Sequence, residues 1–142
     1  MRIEKINHSI AEVQKRINYF LNILTGRSGN LSFEQLDAIL KSSNTHLFFI
    51  FNEENTAVGM ITLVIYNTCL GKKAWVEDVV IDNIYQGQGF GRMIMEFVIE
   101  FAKIEKVNIL MLTSNSSRIA ANSLYQKIGF KKKETNFYQI IF

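Results

Sequence analysis

Between Tyr85 and Met93 the chain reads YQGQGFGRM, with Gly87, Gly89 and Gly91 at alternate positions. Before this stretch comes an apolar, β-branched run, AWVEDVVID, that predicts a strand from about Ala74 to Asp82. After it comes RMIMEFVIEFAKI, in which Met93, Ile94, Phe97, Val98, Phe101 and Ile104 recur at helical spacing and predict a helix from roughly Gly89 to Glu105. A strand that turns into a helix through three glycines fits an α/β chain, the class that the order of the remaining elements also gives. Glycines serve tight turns and close packing. At a helix N-terminus they also let an anion approach unpaired backbone N–H groups at the positive end of the helix dipole, and the alternating triplet favours a phosphate site. The phosphate loop of nucleotide triphosphatases is excluded, because Gly91 is followed by Arg92 and Met93 rather than Lys and Ser or Thr. A dinucleotide fingerprint is excluded because the spacing is Gly-x-Gly-x-Gly, not Gly-x-Gly-x-x-Gly.

The remaining segments build around this junction. MRIEKI alternates and predicts a short strand from Arg2 to Ile6, and apolar positions from Ile10 to Leu24 predict a helix over Ser9 to Leu24. TGRSGN breaks it, and Ser32 with Gln35 three residues later has the form of a capping box for a second helix. HLFFIF and AVGMITLVIY, joined by a short turn at NEEN, predict an antiparallel hairpin. NILMLT predicts another strand, and SSRIAANSLYQKI a helix with Ser116 or Ser117 as cap and Gly129 as its stop. FKKKE and FYQIIF are expected to close the sheet as two strands around Thr135 and Asn136. The expected order is β-α-α-β-β-β-α-β-α-β-β, a mixed, twisted sheet flanked by helices in one domain spanning residues 1–142.

Composition excludes several functions. With 48% hydrophobic and 20% charged residues the chain is globular, and no apolar run approaches membrane-spanning length. The first ten residues lack the apolar core of a signal peptide, and the single cysteine, Cys69, forms no disulfide within the chain, so a cytoplasmic location is expected. A net charge of +3 suits an anionic ligand, but basic residues cluster only at Lys131–Lys133 and do not interleave with aromatics, so nucleic acid is not an expected partner. His8 and His46 are isolated, and no group of His, Cys and acidic residues has metal-ligand spacing, so no metal is expected.

Two motifs together carry a resemblance. QGQGFG, Gln86 to Gly91, is similar to the Gln/Arg-x-x-Gly-x-Gly/Ala motif of the GNAT superfamily of N-acetyltransferases, and AANSLYQKIGF, Ala120 to Phe130, resembles the later helix of that family. The interval between them and the order of elements over nearly the whole chain resemble it too. The resemblance implies a GNAT-type fold with acetyl-CoA as co-substrate. Its pyrophosphate would lie on Gln86, Gly87, Gln88, Gly89, Phe90, Gly91 and Arg92, and its pantetheine arm would pair with the backbone of Val79, Val80 and Ile81 like an added strand.

Acetyl transfer to an amine requires a polarised thioester carbonyl, a base for the amine proton and an acid for the leaving thiolate. The resemblance places Tyr125 near the coenzyme sulfur as general acid; the alternative is a core tyrosine with a satisfied hydroxyl. Glu77 and Asp78 are adjacent acids in an apolar strand, so alternation sends them to opposite faces unless a bulge intervenes. Glu77 is the expected base with Asp78 second, against a structural or substrate-binding role. Many family members carry Asn seven residues before the motif tyrosine, where this chain has Arg118, so that contact does not transfer; Arg118 and Asn122 are coenzyme candidates instead.

The leading reading is therefore direct transfer of acetyl from acetyl-CoA to a primary amine, of a small molecule or a protein, in a ternary complex. The alternative is a catalytically weak acyl-CoA sensor or regulatory module, which needs the glycine loop but neither Glu77 nor Tyr125. The segments expected to shape the acceptor pocket, the two N-terminal helices and residues 67–73, carry no motif. A homodimer is left open.

Overall fold

The run THLFFIF becomes the strand around which the sheet is built, because its interior residues are buried on both sides. The computed structural model describes residues 1–142. Its sheet has five strands in sequence order: β1 (Arg2–Lys5), β2 (Thr45–Phe51), β3 (Ala57–Thr68), β4 (Gly71–Ile81) and β5 (Ile109–Met111). The first four pair antiparallel, and β5 lies parallel to β4 after a helical crossover. Helices α1 (Ala11–Thr25) and α2 (Phe33–Lys41) cover one face; α3 (Phe90–Ile104) and α4 (Ile119–Lys127) cover the other. Phe48 and Ile50 of β2 pack with Ile94, Met95 and Val98 of α3, while Leu47 and Phe49 pack with Ile17, Phe20 and Leu36. A strand buried on both faces must be nearly continuously apolar, and in this one only His46 of the buried residues is polar.

Local signals set the helix ends. The capping box forms: Ser32 Oγ accepts the Gln35 N–H at 3.1 Å, and Gln35 Oε1 accepts the Ser32 N–H at 2.8 Å. α1 ends at Gly26, which takes φ 69° and donates its N–H to Asn22 O. At α4 neither serine caps: the N-cap residue is Arg118, and Ser117 instead bonds the Asn115 side chain.

β4 carries the irregularity that matters for the site. Met60 faces Val80 and Thr62 faces Glu77, so β4 holds one residue more than β3 over this interval. The bulge centres on Asp78, whose φ is +52°. Because of it Val76 packs with α3, whereas Val80, four residues on, packs against Ile17, Phe20 and Leu36 on the other face. In a regular strand both would share a face.

The two expected closing strands do not form. Residues 131–142 are exposed and form no regular secondary structure, and no backbone hydrogen bond joins them to the sheet. Thr-Asn lacks the Asn-Gly chemistry of a tight hairpin, and β5 is only three residues long, a short template. The mixed sheet flanked by helices stands without them.

Gly59 shows how closely β2, β3 and β4 are fitted, since a Cβ there would stand 2.7 Å from the Val80 carbonyl oxygen. Gly59→Ala is expected to lower unfolding stability by about 2 kcal/mol, measured by urea denaturation.

Candidate active site

The site begins where β4 ends. Asp82, 4% exposed, accepts the Ile84 N–H through Oδ1 at 3.4 Å and so opens a 3-10 turn over Asn83–Tyr85. Its Oδ2 accepts the Tyr19 hydroxyl at 3.0 Å and Arg16 Nη2 at 3.3 Å, and Arg16 also donates to Ala57 O. The Gln86 side chain turns back to donate to Ile81 O and Asn83 Oδ1, both at 3.0 Å, and Gln88 donates to Ile84 O at 3.0 Å. Side-chain amides thus brace the loop from behind.

Its front is bare backbone. Gly87 and Gly89 have φ of +76° and +90°, and a Cβ at either would meet nothing within 4 Å. The six amides from Gly87 to Arg92 donate to no acceptor in the chain, and the first N–H of α3 to find one outside the regular helix ladder is Met93, bonded to Gly89 O. Consecutive unpaired N–H groups at a helix N-terminus form an anion cradle.

A cleft of about 380 Å³ adjoins this loop, lined by Val79 and Ile81 of β4, Gln86, Gly87 and Gly91, and residues 118–121, Leu124 and Tyr125 of α4 and its start. The size suits a small-molecule site. It exists because β4 pairs with β5 only through Lys73–Trp75. From Val76 onward that edge of β4 has no neighbouring strand, and the Val79 carbonyl turns toward it, 3.5 Å from Arg118 Nη2.

Tyr125 is 6% exposed and packs edge-on to Phe130, yet its hydroxyl makes no hydrogen bond within the chain. Burial raises its pKa, with the Arg118 charge opposing, so the phenol is held protonated. Glu77 and Asp78 do not line the cleft; the bulge sets them beside it, and Glu77 is open to solvent. Partial desolvation first, then the Asp78 carboxylate, raise the Glu77 pKa.

The other expected residues are distributed. The Val80 side chain is buried on the far face. Phe90 packs in the core against Tyr85, and Arg92 pairs with Glu96 at 2.7 Å along the outside of α3. Asn122 donates to Asn115 O at 2.9 Å and borders a separate hollow with Ser116 and Gln126. His46 is buried against Phe48 and Phe101, three turns along α3 from the loop, and burial lowers its pKa; Cys69 is exposed. Sequence reasoning missed the Arg16–Tyr19–Asp82 cluster, in which Asp82 lies more than sixty positions from the other two. It also missed Ala120, Ala121 and Leu124 as cleft walls, although two adjacent alanines in α4 hinted at a close approach. No group of three or more His, Cys, Asp or Glu is placed to hold a metal, and no helix is long and apolar enough to cross a membrane.

A family model described as "Acetyltransferase (GNAT) family" matches residues 17–130. Human N-acetyltransferase 8B is 25% identical over 95 residues, covering 66% of this chain and 42% of its own length, so the chain spans less than half of that relative. A solved structure of an Agrobacterium tumefaciens protein described as a putative acetyltransferase superposes with TM-score 0.86 at 20% identity, covering 99% of this chain and 100% of its own. An aminoglycoside acetyltransferase from an uncultured soil metagenomic sample gives TM-score 0.82 at 18% identity, over 99% of this chain and 95% of its own.

Desolvation and the Asp78 carboxylate, which oppose the Glu77 charge, outweigh a hydrogen bond from Trp75 that favours it, so the folded chain holds that proton more tightly than the unfolded chain. Ionised Glu77 therefore destabilises the fold above its raised pKa, and the penalty vanishes below the unfolded value of about 4.3. Glu77→Gln is expected to melt above the wild type at about pH 7.5, with the difference closing near about pH 4 in thermal unfolding.

Proposed function

This chain belongs to the acetyltransferase (GNAT) family, and on that premise we propose that it moves the acetyl group of acetyl-CoA to a primary amine by direct transfer. The observation that carries the reading is the run of six unpaired amides, Gly87 to Arg92, beside a cleft whose other walls are a bare strand edge and Tyr125. Those amides and the α3 dipole suit the coenzyme pyrophosphate. The free edge of β4 at Val79–Ile81 suits the amide-bearing pantetheine arm, which hydrogen-bonds as a strand does. Arg118, at the mouth of the same cleft, supplies a positive charge toward the coenzyme.

The chemistry then divides between two side chains. Glu77, its pKa raised by partial desolvation and by Asp78, takes the proton of the acceptor amine through water. The amine nitrogen forms a bond to the thioester carbonyl carbon, the carbon–sulfur bond breaks, and the sulfur leaves with the electron pair. Tyr125 donates its hydroxyl proton to that sulfur; a phenol kept protonated by burial, with no competing hydrogen bond, is fitted to do so. Asp78 keeps the Glu77 pKa up and, by its positive φ, the strand bulged. The acceptor is an amine of a small molecule or a protein, and the exposed free thiol of Cys69 suits a reducing cytoplasm.

Release of free thiol from acetyl-CoA across a panel of primary amines tests the activity, and absence of release with every amine would overturn it. Tyr125→Phe is expected to lower kcat about 100-fold while calorimetric affinity for acetyl-CoA is kept; equal loss of affinity removes the acid role. Gly87→Ala places a side chain at φ +76° over the amides, so its main effect should fall on coenzyme affinity, about tenfold, rather than on kcat.

A further inference from the structure

The helical spacing of α1 brings Arg16, Tyr19 and Phe20 to one face, at positions i, i+3 and i+4. The Arg16 guanidinium lies over both rings, 4.6 Å from each centroid. Its Nε donates to the Ala57 carbonyl oxygen at 2.9 Å, and Nη2 donates both to that oxygen and to Asp82 Oδ2. A guanidinium gripped in this way has little freedom left, and it is aimed at one carboxylate. Arg16 is the only cation paired with Asp82.

Asp82 is fixed in its turn. Its N–H donates to Val58 O at 2.8 Å, Oδ1 caps the turn that leads into the glycine loop, and Oδ2 accepts the Tyr19 hydroxyl. The turn needs an acceptor at this position but not a charge, since asparagine caps as well as aspartate. Nor does stability call for the ion pair, because a buried pair contributes little over apolar residues of similar volume. The carboxylate also stands in an awkward place. Gly87, the first of the free amides, follows five residues later, and the Gln86 side chain folds the loop back onto Ile81, the neighbour of Asp82. A bare negative charge at that point would repel any anion the amides take.

With the loop read as the coenzyme site, on which this step rests, we propose that Arg16 is a positioning residue for coenzyme binding that acts through Asp82. Its guanidinium cancels the charge behind the glycine loop, so the loop keeps its acceptor and still presents a positive face to a pyrophosphate. Tyr19 holds the carboxylate in place and adds no charge to the balance. Helix α1 thereby takes part in donor binding from the face of the sheet opposite α3 and α4.

The test is calorimetric titration of the full chain with acetyl-CoA. At the effective dielectric of a protein surface, one uncompensated charge beside a pyrophosphate changes affinity by about tenfold. Arg16→Met is therefore expected to weaken binding about tenfold, and in turnover to raise KM for acetyl-CoA while kcat is kept. Arg16→Lys, which retains the charge, should restore most of the loss. Asp82→Asn keeps the cap and removes the charge, so it should bind about threefold more tightly than the wild type. Arg16→Met combined with Asp82→Asn should return to within about twofold of the wild type. A merely structural role gives another pattern, with both single variants weaker and the double variant weaker still. Weaker binding by Asp82→Asn, or a double variant no better than Arg16→Met, would overturn the proposal. If Arg16→Met does not fold by circular dichroism, Asp82→Asn and the double variant decide. A wild type that does not bind acetyl-CoA would remove the coenzyme reading itself, whereas equal affinity in the wild type and every variant would remove only the role of Arg16.

Discussion

The site depends on the parting of two strands. β4 and β5 run together through Lys73–Trp75 and then diverge, so that from Val76 the backbone of β4 has a partner on one side only. A protein cannot leave main-chain groups bare in its interior without a use or a solvent for them. Here the gap becomes a cleft, with α4 as its opposite wall and the glycine loop at its end. The Asp78 bulge is part of the same construction. By inserting one residue it turns Val79 and Ile81 toward the α4 side and Val80 into the opposite core. A single backbone irregularity thus decides which side chains line the cleft and which support the sheet.

The loop is held by a second constraint, and it comes from the other face. Asp82 is nearly inaccessible yet accepts from Arg16, Tyr19 and the Ile84 backbone. Removing a charge like this from water is unfavourable unless it is paired and hydrogen-bonded, and this one is. Its hydrogen bond is also the first cause of the raised pKa of Tyr19. The arrangement ties α1, the helix expected to shape the acceptor side, to the residue at which the glycine loop begins. Displacement of α1 would be felt at the loop through a short chain of hydrogen bonds.

Much of this was legible in the sequence, and the legible parts share a cause: they are local. The alternating glycines, the Ser32–Gln35 box and the apolar periodicity of α3 concern residues within a few positions of one another, and the box and the helix formed as expected. The closing strands failed because a strand is not local. FYQIIF has the right residues, but strand formation requires a partner edge that sequence pattern does not supply. The Asp82 cluster was hidden for the same reason, since nothing about Arg16 and Tyr19 on a helix signals a carboxylate sixty-three residues beyond Tyr19. Asn122 was an intermediate case: its helix was foreseen, but its face of that helix borders a different hollow.

Charge is a poor guide to the proposed anion site, for reasons visible in where the charged side chains lie. The clustered lysines, Lys131–Lys133, lie in the exposed C-terminal segment, and Arg92, the cation nearest the loop in sequence, is engaged by Glu96. What faces the cleft is Arg118 and a row of amides. Amides carry only partial charge and are invisible to a count of basic residues, yet they are fixed by the fold and need no ordering when an anion arrives. Composition therefore gave only a mild positive balance. The absence of side chains at Gly87 and Gly89, which exposes the amides, was the stronger sign of an anion.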